Sequence, residues 1–220
     1  TLFRSMSNFF ADPGYSPVVL SSILDENNIK YFGSYGKTTE DTFVTPLDDN
    51  TNLVVYGINM ISSSWDEKLA KQTTLNIRVK YPNDYLVAFI HWGNEYENKQ
   101  SKIQESFAHE ILDLGVDAIV GSHPHVIEGV EIYKGKPIFY SMGNFIFDQY
   151  FSQNVQKGYL LSLEKKGFDY VYNIFPVKSE SSVPYLAEGE NKSEILNLIK
   201  VNSVNINGYT NNKGEFVIKK

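Results

Sequence analysis

Two apolar runs do most to constrain how this chain can fold. Tyr85–Ile90 and Val116–Val120 are short and almost purely apolar, the pattern of central strands covered on both faces. Between them, from Lys99, the residues Ile103, Phe107, Ile111 and Leu114 recur at intervals of four, four and three. That is one stripe of a helix, and Gly115 supplies its stop. Strand, helix and strand in this rhythm predict a βαβ unit with a parallel sheet and a right-handed crossover. Both strands then deliver loops at their carboxyl ends, the edge where α/β sheets build sites. The first run ends at His91, and the second leads into His123 and His125.

Other elements fit around this unit. Ser16-Pro17 followed by Val18, Val19, Ile23 and Leu24 predicts a helix with Ser16 as N-cap and Pro17 at its first position, ending near Asn27-Asn28. Ile29–Phe32 and Leu53–Met60 read as buried strands, and Ser64-x-x-Glu67 as a capping box opening a short helix. The second half reads antiparallel. Val130–Tyr133 with Pro137–Tyr140, and Tyr159–Leu163 with Tyr170–Phe175, flank Lys- and Gly-bearing turns, which is a hairpin signal. Beyond Ser179 the chain is polar and Asn-rich, with a helix expected near Glu194–Lys200 and a strand at Glu215–Ile218.

Composition narrows the function classes. Against 26 Asp and Glu stand 20 Lys and Arg, a net charge of −6 without basic clusters, which argues against a partner in nucleic acid. The absence of cysteine removes disulfides, thiolate metal sites and Cys nucleophiles together. No apolar run approaches the roughly 20 residues of a membrane span, and no signal peptide or anchor is legible. The first residue is Thr1 rather than Met, so the chain is expected to be processed or a fragment.

The chemistry-bearing residues concentrate in three segments. In Gly121-Ser122-His123-Pro124-His125-Val126 two imidazoles sit on a turn whose backbone Pro124 restricts. Neutral imidazole is the commonest metal ligand and suits Zn, Fe, Mn or Ni. A single loop histidine is more often satisfied by backbone groups, but three at the ends of two neighbouring strands favour a site. His109, on the helix and off its apolar stripe, reads as a solvated residue. In Tyr140-Ser141-Met142-Gly143-Asn144-Phe145-Ile146-Phe147-Asp148-Gln149, Asn144 and Asp148 are candidates to touch substrate or support the site, with a turn over packed aromatics as the alternative.

Together with His91-Trp92-Gly93-x-Glu95-Tyr96, these motifs resemble the CapA (PgsA) family of bacterial poly-γ-glutamate capsule proteins, related to the calcineurin-like metallophosphoesterases. The resemblance covers roughly Ser7–Val177. It implies a metallophosphatase-like four-layer α/β/β/α sandwich over residues 1–178, missing its N-terminal strand or strands, followed by a polar extension at 179–220. It also implies a metal centre at strand ends and a cell-surface or extracellular protein, membrane-anchored at full length.

Carried over residue by residue, the resemblance makes Asn8, His91, His123 and His125 metal ligands. Glu95, Asn144 and Asp148 become substrate or supporting groups. Aligning Asp12 on the family's Asn-His-x-x-Asp block retains Asn8 but puts Phe9 where a proton-donating His is expected. No Asp, Glu or His precedes Asn8 to supply the family's first acidic ligands. The expected cofactor is therefore a divalent metal, Zn, Mn or Fe, as one ion or two.

Two functions follow. In the first, the chain is a metallophosphoesterase-like hydrolase of capsule synthesis or export with weak or absent activity of its own. In the second, it is a degenerate, non-catalytic scaffold or binding module at the cell surface. Expected partners are the capsule polymer or a cell-wall-related anionic substrate, other capsule synthesis proteins and a second copy in a homodimer.

Overall fold

The computed structural model describes residues 3–5, 17–28, 30–33, 38–207 and 215–218. In chain order the elements are β1 (Phe3–Ser5), α1 (Pro17–Glu26), β2 (Lys30–Phe32), β3 (Thr42–Pro46), β4 (Asn52–Asn59), α2 (Glu67–Lys80) and β5 (Tyr85–His91). They continue with α3 (Lys102–Asp113), β6 (Ala118–Ser122), β7 (Val130–Tyr133), β8 (Lys136–Phe139), β9 (Lys157–Lys166), β10 (Asp169–Glu180), β11 (Val183–Leu186), α4 (Gly189–Asn202) and β12 (Glu215–Ile218). The fold class is α/β, as expected, and the chain divides into two compact units.

The first unit comprises residues 1–92 and 110–118. Its β3 pairs antiparallel with β4, and β4 pairs parallel with β5 in a register that sets Asn59 opposite His91. The β4–α2–β5 stretch is thus a parallel βαβ unit. Val54, Tyr56, Leu86, Ala88 and Ile90 are fully buried, which is why these strands read as continuous apolar runs rather than alternating ones. Separately, β1 and β2 form a parallel pair.

Two details differ from the sequence reading here. The N-cap of α2 is Asp66, whose side chain accepts from the Leu69 N–H, and the helix runs 14 residues instead of being short. Ser64 is spent on a 2.9 Å hydroxyl contact with Ser62. As expected, Pro17 opens α1 and Asn28 turns the chain with φ 54°, whereas the proposed cap Ser16 lies outside the described residues.

The second unit comprises residues 93–109 and 119–220. Its β6 pairs parallel with β8, and β8 pairs antiparallel with β7. The two hairpins expected to be antiparallel, β7–β8 and β9–β10, are so, and β6 adds a parallel neighbour to the first. Lys134 (φ 49°) and Gly135 (φ 78°) turn between β7 and β8, the two positive φ values of a two-residue hairpin turn. The longest ladder joins β9 and β10 antiparallel over ten residue pairs, and β10 also carries β11 and β12. Residue 178, the expected domain boundary, lies inside β10, and the residues after it add β11, α4 and β12 to this unit.

Helix α3 buries Gln104, Phe107, Ala108 and Ile111, while Ile103 is 71% exposed. Of the expected stripe Phe107 and Ile111 face inward, whereas Gln104 and Ala108 join them in place of Ile103. Gln104 takes the inward place because its amide donates to the buried Glu128 carboxylate at 2.9 Å and accepts from the Ser101 N–H at 2.8 Å. No helix among the described residues is long and apolar enough to cross a membrane.

Candidate metal centre

Strand β6 ends at Ser122, and the chain turns at once through His123-Pro124-His125. His123 has φ 104° and His125 φ 61°, and in the facing loop Tyr96 has φ 67°. Left-handed backbone at non-glycine residues costs about 1–3 kcal/mol apiece and persists only where the surroundings dictate it. Here the two loops are tied directly, the Tyr96 N–H donating to the Pro124 carbonyl at 2.8 Å.

The strained turns bring ligand atoms of Glu95, His123 and His125 within 4.8 Å of one another. His125 Nε2 lies 4.0 Å from Glu95 Oε1, too far for a hydrogen bond. Two donors on one ion at about 2.1 Å each stand no more than about 4.2 Å apart, so a small ion fits between them with little adjustment. Donor chemistry fits as well. Two imidazoles and a carboxylate, without thiolate, suit Zn, Mn or Fe.

Protonation favours ligation. Burial, assisted by the neighbouring His125, pulls the His123 pKa below its ordinary value, against the opposing pull of Glu95. His123 is therefore neutral, with a ligand lone pair, at neutral pH. The His125 Nδ1 lies 2.9 Å from Asn144 Oδ1, while the Asn144 amide nitrogen donates to the Val155 carbonyl at 3.0 Å. Tyr96 stacks on the His125 ring at 6.0 Å between centroids, and Phe147 packs at 4.7 Å. The Glu95 side chain is 48% exposed, leaving one side of the cluster open to solvent.

Of the residues singled out from sequence, His123, His125 and Glu95 come together, Glu95 in a ligand-like position rather than a supporting one. Asn144 supports His125. Asp148 is exposed and not part of the cluster, while His91 is the buried last residue of β5 in the first unit, its carbonyl accepting from the Met60 N–H. Asn8, Phe9 and Asp12 lie outside the described residues.

His109 is not a simply solvated helix residue. It bonds the buried Glu131 at 2.8 Å and stacks on Tyr133 with ring centroids 3.8 Å apart. Tyr96, Phe147 and Gln149 also belong to the surroundings of the cluster. Their only signal was membership of the two motifs that flank the histidine turn.

Residues 18–149 match the family of bacterial capsule synthesis protein PGA_cap. The chain is 53% identical over 66 residues to the capsule biosynthesis protein CapA of Bacillus anthracis, covering 30% of this chain and 16% of that protein. It is 38% identical over 101 residues to the PGA biosynthesis protein CapA of Bacillus subtilis (strain 168), covering 46% of this chain and 27% of that protein. The matched segments thus span about a quarter or less of those relatives. A solved hypothetical protein from Thermus thermophilus superposes with a TM-score of 0.46 at 12% identity, over 82% of this chain and 72% of that one, a likeness too low to bear on fold or function. The family match covers more than half of the sequence and contains all three motifs that build the cluster, so this chain belongs to the bacterial capsule synthesis protein family PGA_cap.

Proposed function

We propose that the chain acts in assembly or export of a bacterial capsule polymer, poly-γ-glutamate by the family resemblance of its motifs, through one divalent metal ion held by Glu95, His123 and His125. The convergence of these three donors on one small volume carries the reading. A divalent ion there supplies Lewis-acid polarisation of a phosphoryl or acyl oxygen and a more acidic water. Of the chain's own residues, His123 offers a neutral imidazole lone pair, Glu95 keeps a carboxylate at the open side, and Tyr96 and Phe147 wall the site. In this reading the substrate is anionic, the setting is the cell envelope and the partners are other capsule synthesis proteins.

Calorimetric titration of chelator-stripped protein with Zn²⁺ and Mn²⁺ tests the proposal. The expected result is about one ion per chain, with binding lost in His123→Ala and His125→Ala variants. Wild-type protein that binds neither ion would sink it. The further ligands implied by the family resemblance, Asn8 and His91, are tested by the same titration on Asn8→Ala and His91→Ala. Hydrolysis of a phosphodiester by the loaded protein separates an enzyme from a metal-bearing scaffold, which would bind the ion without turnover.

A further inference from the structure

We infer that Asn144 is a positioning residue that fixes the tautomer of His125, and that Gln149 and Tyr96 hold it in that task. The inference rests on the metal reading of the cluster. The Asn144 amide nitrogen has two acceptors, the Val155 carbonyl at 3.0 Å and Gln149 Oε1 at 3.3 Å. Its oxygen must then be the atom that faces His125 Nδ1 at 2.9 Å, so Nδ1 carries the ring proton. The lone pair consequently resides on Nε2, the nitrogen that looks toward Glu95.

Gln149 is oriented in turn. Its oxygen accepts from Asn144 and its nitrogen donates to the Tyr96 hydroxyl at 3.0 Å, while the Tyr96 ring stacks back on His125. The contacts close a circuit from His125 through Asn144, Gln149 and Tyr96 to His125 again. It joins the segments around Tyr96, His125 and Asn144, which are far apart in sequence.

Two glycines make room for it. A Cβ on Gly143 would lie 2.5 Å from the Lys157 carbonyl oxygen, and one on Gly158 would lie 2.2 Å from that of Asn144. Only bare backbones let these two segments approach closely enough to form the Gly143–Gly158 bridge beside Asn144. Groups that orient a ligating histidine this way typically contribute about 10–100-fold in metal affinity.

The test combines two readouts. Long-range ¹H–¹⁵N spectra of the metal-free wild-type protein report the His125 tautomer directly, and the Nδ1–H form is expected. Calorimetry with Zn²⁺ on Asn144→Leu is expected to show affinity reduced about 10–100-fold, with Asn144→Asp restoring most of it because its carboxylate still accepts from Nδ1–H. A wild-type Nε2–H tautomer overturns the inference, as does Zn²⁺ affinity in folded Asn144→Leu within about twofold of wild type. Should wild type bind no Zn²⁺, the metal reading fails, while the tautomer measurement still decides the role of Asn144. The same measurement decides it if Asn144→Leu does not fold.

Discussion

At the scale of single residues, the most consequential group outside the candidate centre is Glu128, three positions after His125 and fully buried. Gln104 donates to one carboxylate oxygen, and the other is buried without a partner among the described residues, as is the Tyr159 hydroxyl. Burial pushes the Glu128 pKa from 4.5 up to about 7, against the smaller opposing pull of the Gln104 hydrogen bond. Because the folded pKa is raised, the native state binds more protons than the unfolded chain between those values. Glu128 therefore weakens the fold progressively as pH rises from about 4.5 to 7, by about 3 kcal/mol in total. Glu128→Gln keeps the acceptor for Gln104 and cannot ionise. Urea unfolding should show it more stable than wild type by about 1–3 kcal/mol at pH 8, with the gain gone at pH 5. A loss of stability at pH 8 would mean that the carboxylate has a favourable partner in the native protein. Nothing in the sequence marks Glu128 as buried, because a lone Glu between apolar residues reads as a surface position and its partner Gln104 is 24 residues away.

Single elements differ in how much of them is written locally. Strand β5 and the turn after β6 were legible, since an unbroken apolar run and a Gly-bounded His-Pro-His triplet are statements about near neighbours. The first turn of the α3 face was not, because the decision between Ile103 and Gln104 is made by a hydrogen bond to Glu128, in the loop between β6 and β7. The same holds at the end of α2. There the Arg78 guanidinium donates to the carbonyls of Tyr81, Pro82 and Asp84 at 2.9–3.2 Å and to Asp117 at 2.9 Å, while Asp117 also accepts from the Leu86 N–H. One side chain thus ties the helix end, the start of β5 and the segment before β6. With the Arg78 and Asp117 side chains only 19% and 15% exposed, Arg78→Leu would leave three carbonyls short of a donor and a carboxylate without its counter-ion. Chemical denaturation should register a loss of about 2–4 kcal/mol. A change under about 0.5 kcal/mol would show that water replaces the guanidinium at no cost, as at an ordinary exposed pair.

For the molecule as a whole, ligand linkage turns the candidate centre into a stability measurement. An ion that binds the native protein and not the unfolded chain adds about 2.7 kcal/mol at a hundred times its dissociation constant. For a chain of this length that is a rise of about 5–10 °C in the thermal midpoint. Wild-type protein with Zn²⁺ should show this rise over chelator-treated protein, and a His123→Ala, His125→Ala double variant should not. The control matters because a net charge of −6 attracts cations without any built site. An equal rise in the double variant would assign the effect to the acidic surface. The pH dependence sharpens the distinction. Protons compete for the imidazoles, so the zinc-dependent rise should persist through neutral pH and shrink in acid, below the ordinary histidine value of 6.5 from which burial lowers His123. Glu128 acts in the opposite direction over an overlapping range, weakening the fold as pH rises. Differences taken with and without zinc at each pH cancel that contribution, so a difference that shrinks only in acid, and only with both histidines present, belongs to the centre alone.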